Sequence, residues 1–183
     1  MNANVIINQP TALNLTLFPN PQTCPDSCNA VIATTLIGGT APYNYLWNDP
    51  NTQITPSVGG LCGGTYTLIA TDSLGCLISD SATVTIPPAM TLGNTTVSSN
   101  CNQADGSGKV TVTSNGVAPF TFSWSDGTNI ISNTDSLVNV IAGTYYATAI
   151  DFAGCSVTDT VNITDLSGPS ITLDSIYNVQ CFG

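Results

Sequence analysis

The chain has 183 residues, 42% of them hydrophobic and only 7% charged, where an average domain is about a quarter charged. Eleven acids, all Asp, stand against one basic residue, Lys109, and the chain contains no Glu, Arg or His. A net charge of −10 cannot neutralise phosphates, which excludes nucleic acid as a partner, and it gives no hold on an anionic membrane. Apolar residues suffice for a core, so solubility must rest on hydroxyls and amides, or on something attached to them.

Short alternating runs bounded by turn residues predict strands throughout. In chain order they fall at Leu13–Phe18, Ala30–Ile37, Tyr43–Trp47, Gln53–Thr55, Thr65–Thr71 and Leu77–Ile86. A second series follows at Met90–Val97, Lys109–Ser114, Phe120–Trp124, Ile130–Ser132, Thr144–Ile150 and Ser156–Ile163. Gly38-Gly39, Asn48-Asp49-Pro50-Asn51, Ser73-Leu74-Gly75, Ser125-Asp126-Gly127 and Phe152-Ala153-Gly154 mark turns. No window carries a capped helical period, and no apolar run of 18 residues exists to span a membrane.

The two series are copies. Cys24 to Trp47 aligns without a gap onto Cys101 to Trp124 at an offset of 77, with Gly39-Thr-Ala-Pro-Tyr-Asn-Tyr-Leu-Trp47 over Gly116-Val-Ala-Pro-Phe-Thr-Phe-Ser-Trp124. The second copy then gains two residues, after which Gly64-Thr-Tyr66 and Asp72-Ser-Leu-Gly-Cys76 match Gly143-Thr-Tyr145 and Asp151-Phe-Ala-Gly-Cys155. Cys101 recurs as Cys181. The repeat unit is therefore roughly 80 residues. The expected division is the end of a preceding repeat at 1–10, repeat one at 11–88, repeat two at 89–168 and the start of a following repeat at 169–183. The opening Met1-Asn2-Ala3-Asn4 lacks the basic and apolar regions of a signal peptide, so the chain is expected to begin inside a longer protein.

Strands of this length with turns every 8–12 residues predict an all-β protein of tandem immunoglobulin-like β-sandwich domains. Trp47 and Trp124 take the place of the buried mid-domain aromatic, and Tyr66 and Tyr145 the place of a corner tyrosine ahead of the penultimate strand.

These motifs resemble the SprB-type repeat of bacterial gliding and surface adhesins. The marks are the opening Cys, then Gly-x-x-Pro-Tyr-x-Tyr-x-Trp, then Gly-Thr-Tyr followed by Asp-x-x-Gly-Cys; the second copy has Phe120 and Phe122 for the two tyrosines. The resemblance spans nearly the whole chain. It implies long proteins carried out by a dedicated secretion route and displayed as filaments or adhesins, with no catalytic residues.

Seven cysteines in a chain without His point to disulfides and an oxidising compartment. The resemblance pairs Cys24 with Cys76 and Cys101 with Cys155. Cys28 and Cys62 are extra to the first copy, and the second has Asp105 and Ile141 in their places. Both are absent together, as bonded partners would be, so Cys28–Cys62 is the expected bridge, with a small Cys24–Cys28 loop as the competing choice. The remaining pairs depend on strand direction, and Cys76–Cys101 with Cys155–Cys181 is the alternative scheme.

Five Asp stand in the pattern Asp-(Ser/Thr)-aliphatic, before Ser73, Ser81, Ser136, Thr160 and Ser175. The pattern resembles the O-glycosylation sequon of the same bacterial group, while Asp-Ser also favours turns on its own account. Asn14, Asn94 and Asn162 stand in Asn-x-Ser/Thr patterns and read as plain polar strand residues.

Catalytic chemistry has little to work with. General acid–base residues are missing, a Ser nucleophile has no base, and no Gly-rich phosphate loop carries a Lys. Calcium is the one metal the residues suit, through Asp49 with Asn48 and Asn51, or through Asp126, although no Asp-x-Asp-x-Asp string is present. The expected role is a structural segment of an extracellular fibre or adhesin. Its partners are neighbouring repeats or identical chains, covalent glycans and a surface polysaccharide. A carbohydrate-binding module, with Tyr146 and Phe152 as exposed aromatics, and a filament subunit joined by strand addition are the alternatives.

Overall fold

The computed structural model describes residues 9–166 and 168. Its described residues separate into two compact units, the first ending at Ala89 and including Ala153–Cys155, the second built from Met90–Phe152 and the described residues from Ser156. Among the described residues every regular element is a strand, and there no helix is long and apolar enough to cross a membrane.

The first unit holds β1 (Asn14–Asn20), β2 (Ala30–Ile37), β3 (Asn44–Trp47), β4 (Val58–Leu61), β5 (Gly64–Thr71) and β6 (Leu77–Val84). They form two three-stranded antiparallel sheets, β1-β2-β4 and β3-β5-β6. Alternation along each strand puts one face inward: Ala30 and Ile32 of β2 are buried while Val31 between them is exposed. Leu15, Ile32 and Val58 of one sheet meet Trp47, Leu68 and Val84 of the other in a single core. This is the face-to-face packing of a β-sandwich.

The second unit repeats the plan with β7 (Thr91–Val97), β8 (Ser99–Asn100), β9 (Gly106–Ser114), β10 (Thr121–Ser125), β11 (Ile130–Ser132), β12 (Ser136–Val140), β13 (Gly143–Ile150), β14 (Ser156–Ile163) and β15 (Asp165–Leu166). Its sheets are β12-β9-β7 and β11-β10-β13-β14, with β8 and β15 joined as a short parallel pair. Val110, Trp124, Leu137, Tyr145 and Val161 centre the core.

The fold is all-β and immunoglobulin-like, with its Trp residues buried mid-domain. Each indole N–H finds a loop carbonyl, Trp47 at Thr55 (3.0 Å) and Trp124 at Thr134 (3.1 Å). The corner tyrosines take their expected geometry: the Tyr66 hydroxyl donates to the Cys62 carbonyl at 3.0 Å, and that of Tyr145 to Ile141 at 2.9 Å. One predicted strand is absent, because Gln53–Thr55 is a loop whose Gln53 and Thr55 carbonyls accept from the backbone and indole N–H groups of Trp47 instead of a neighbouring strand. The strand against β2 is Val58–Leu61, which pairs Ala30 with Leu61.

Candidate functional site

The chain's candidate sites are covalent ones, its cysteines and its hydroxyls, and the sandwich ends and edges decide what each can do. β5 sets the scale in the first unit. Its first residue, Gly64, pairs with Val84 and lies just past β4, whose Leu61 pairs with Ala30 at the start of β2. The β1–β2 connection with Cys24 and Cys28, and Cys62 after β4, therefore share one end of the sandwich. There Cys28 and Cys62 are bonded, with Cα atoms 4.0 Å apart. Both ends of this bridge are exposed.

The far end of β5, where Thr71 pairs with Leu77, carries the turn of Cys76. A strand advances about 3.3 Å per residue, so the eight residues of β5 hold Cys76 about 25 Å from the end where Cys24 lies. A bridge tolerates no more than about 7 Å between Cα atoms. The Cys24–Cys76 pairing implied by the family resemblance therefore does not form. Cys101–Cys155 fails for the same reason, since β13 spans Gly143–Ile150 between the end holding the β7–β9 connection and the turn of Cys155. The partner found for Cys24 is Cys155, at a Cα separation of 5.3 Å, and Ala153–Cys155 groups with the first unit. Cys76 and Cys101 are free and exposed, so the Cys76–Cys101 alternative is also not formed. With Cys155 bonded to Cys24, Cys155–Cys181 is not formed either. Cys181 lies outside the described residues, as does Ser175.

The Cys76 turn is built by a buried carboxylate. Asp72 is 3% exposed; one oxygen accepts the amides of Leu74 (2.9 Å) and Cys76 (2.8 Å), and the other accepts that of Thr40 (3.0 Å). Burial pushes its pKa up, and the amides of Thr40, Cys76 and Leu74 outweigh burial and hold it below the ordinary value. Asp151, equally placed in the second copy, accepts the Val117 amide at 3.1 Å. From the sequence Asp72 stood only as the acid before Ser73 and Asp151 had no role, though their recurrence before Gly-Cys was the signal.

The calcium candidates are also loop builders. Asp49 accepts the amides of Asn51 and Gln53 and the side chain of Gln53, and Asp126, at the aligned position, accepts those of Thr128 and Asn129. The amide of Asn129, followed by the hydroxyl and amide of Thr128, lowers the Asp126 pKa to about 2. Among the described residues no three acids or cysteines gather as a metal cluster.

The Asp-Ser/Thr hydroxyls separate into three settings. Ser73, exposed in the Cys76 turn, donates to the Thr40 carbonyl at 3.0 Å. Ser136 is half-buried on β12, its hydroxyl on Asp135 at 2.9 Å. Ser81 and Thr160 are exposed on β6 and β14, the edge strands of their sheets. In both, the preceding carboxylate takes the residue's own amide: Asp80 that of Ser81 and Asp159 that of Thr160, each at 2.8 Å. Asn94 donates to Asp159, and Asn162 accepts from Thr144. Tyr146 and Phe152 are 40% and 74% exposed.

Residues 16–52 and 93–129 each match the family model of the SprB repeat, at the same offset that relates the two copies. Repeats of this kind occur in surface proteins. No curated protein matches the chain. Among solved structures, murine CEACAM1b is 12% identical with a TM-score of 0.32, over 84% of this chain and 100% of that one. A two-domain fibronectin type III segment of chicken tenascin is 12% identical with a TM-score of 0.33, over 85% and 99%. The Ig1-2 module of the Drosophila receptor protein tyrosine phosphatase DLAR is 14% identical with a TM-score of 0.30, over 84% and 98%.

Proposed function

We propose that this chain is a structural segment of an extracellular surface fibre or adhesin, whose SprB repeats supply length and display and which carries O-linked glycans. The observation that supports this most is the recurrence of one SprB sandwich with its core, corner tyrosine and loop-closing carboxylates intact in both copies. A protein made of such units extends by adding copies, each with its own core. The bridges at Cys28–Cys62 and Cys24–Cys155 suit an oxidising compartment.

Ser81 and Thr160 are the glycan acceptors this reading favours. They are exposed, occupy aligned positions and lie on the end strands of their sheets. Ser136, half-buried beside the core residue Leu137, is the poorest of the described candidates. A sugar coat supplies the hydration that a 7% charged chain lacks. The test is peptide mass mapping of protein shaved by protease from intact cells of the native host. Hexose-type increments are expected on the peptides holding Ser81 and Thr160. Release of these peptides only after lysis refutes surface display, and bare masses at both sites refute the glycan assignment.

A further inference from the structure

The two free cysteines are the repeat equivalents of the two that are bonded. Two kinds of cysteine recur in the chain. Cys24 and Cys101 open their copies, and Cys76 and Cys155 close the Asp-x-x-Gly-Cys turn. The Cys24–Cys155 bridge joins one of each kind, drawn from different copies, across 131 residues of sequence. What remains is one of each kind, Cys76 and Cys101, both exposed and unbonded.

We infer that Cys76 and Cys101 are the two halves of that same bridge, each made to pair with a further copy of this repeat. Cys101 takes a turn cysteine from another copy, as Cys24 takes Cys155. Cys76 takes an opening cysteine from another copy, as Cys155 takes Cys24. The partner is a second copy of the repeat, in a longer chain or in another molecule, and the bond is always opening-to-turn.

The Cys76 turn already has the shape of its bonded counterpart. Gly75 and Gly154 hold φ of 82° and 85°, a conformation glycine adopts without strain. The Asp before each glycine fastens the turn to the aligned loop, Asp72 to the Thr40 amide and Asp151 to that of Val117. The free turn therefore needs no rearrangement to present its sulfur as Cys155 does.

Bond formation needs an oxidant of the disulfide class. The thiolate of one cysteine attacks the oxidant's S–S bond and releases one of its thiols. The partner cysteine's thiolate then displaces the second. The new Sγ–Sγ bond forms while the oxidant takes up two electrons and two protons. The compartment rests on the surface reading proposed above, but the following test does not, because the oxidant is supplied.

The reduced 183-residue chain is folded at high concentration in a buffer of reduced and oxidised glutathione, then digested on the amino side of Asp. The 11 Asp place each of the seven cysteines on its own peptide, so every link is read directly. Cys181 aligns with Cys101 and counts as an opening cysteine. Expected are Cys76–Cys101 and Cys76–Cys181 links between molecules, exceeding Cys76–Cys76 and Cys101–Cys101 links by about tenfold or more, a preference of about 1.4 kcal/mol. On a non-reducing gel these appear as a ladder that collapses with reductant. Cys76→Ser and the Cys101→Ser/Cys181→Ser pair should each stay monomeric alone and form disulfide-linked species of two or three chains when mixed. Homotypic links at statistical frequency, or thiols at Cys76 and Cys101 that stay free throughout, overturn the inference. The peptide map of the unsubstituted chain decides this even if a variant fails to fold.

Discussion

Removing the Cys28–Cys62 bridge isolates one cross-link in the first unit. Both sulfurs sit on exposed residues, so replacing them by Ser deletes little buried surface, and the effect comes from the freedom regained by the unfolded chain. The bridge spans a sequence separation of 34, for which the chain-entropy relation gives about 13 cal/mol/K, or about 4 kcal/mol at 25 °C. For a domain of this size that lowers the melting temperature by about 15–30 °C. Each unit holds one Trp in its core, so Trp47 reports the first unit in a Trp124→Phe background and Trp124 the second in a Trp47→Phe background. Urea titration of the Cys28→Ser/Cys62→Ser variant should move the Trp47 transition by this amount and raise its slope, because the unbridged chain exposes more surface when unfolded. The Trp124 transition should stay in place. A loss below about 1 kcal/mol at Trp47, too small for this loop length, or an equal shift at both reporters, would refute the reasoning.

Two further outcomes are expected. Tyr145→Phe keeps the ring in the core and removes the hydroxyl that donates to Ile141. It should cost about 1 kcal/mol in the Trp124 urea transition, and an unchanged midpoint would show that the corner bond carries nothing. Asp126, with its pKa depressed to about 2 from 3.8, stabilises the second unit fully above the unfolded value, and that contribution is lost as pH falls through the folded value. Thermal melts between pH 5 and about 2 should therefore show a second-unit midpoint falling mainly below pH 4, more shallowly in Asp126→Ala. Parallel slopes for the two proteins would remove Asp126 from the acid response.

The strands most legible in the sequence were those whose alternation runs long enough to show a period of two. Ala30–Ile37 and Ser156–Ile163 have the same bounds in the structure. β4 was not legible because Val58-Gly-Gly-Leu61 offers two side chains, with Gly60 at φ 72°. β12 was hidden by Asn139, which at φ 57° interrupts the register between Val138 and Val140. The cysteines divide on the same principle. Cys28 and Cys62 could be paired because the second copy lacks both. Cys24 could not be paired from spacing, since what matters is which end of the sandwich a loop occupies. The carboxylate pair Asp72 and Asp151 was visible as a repeated letter, but its work depends on Thr40 and Val117, more than thirty residues upstream.

The scarcity of charge shapes the sheets as well as the surface. Open edge strands invite pairing with another chain, and soluble proteins commonly block them with Lys or inward charges. This chain has one Lys, and Lys109 faces Asp135 at 3.3 Å. On β6 and β14 the blocking falls to Asp80 and Asp159, which turn back onto the amides of Ser81 and Thr160 and so occupy donors that an incoming strand would need. Between β5 and β6, and between β13 and β14, hydroxyl pairs replace ion pairs: Thr65 with Thr83, Thr67 with Ser81, and Thr148 with Thr158, at 3.0, 2.9 and 2.8 Å. Such cross-strand pairs add modest stability each and, unlike ion pairs, do not weaken with salt. The Asp-Ser/Thr pattern thus has a backbone role at these edges whether or not a sugar is attached. A glycan on Ser81 or Thr160 would extend the same protection outward from the strand that most needs it.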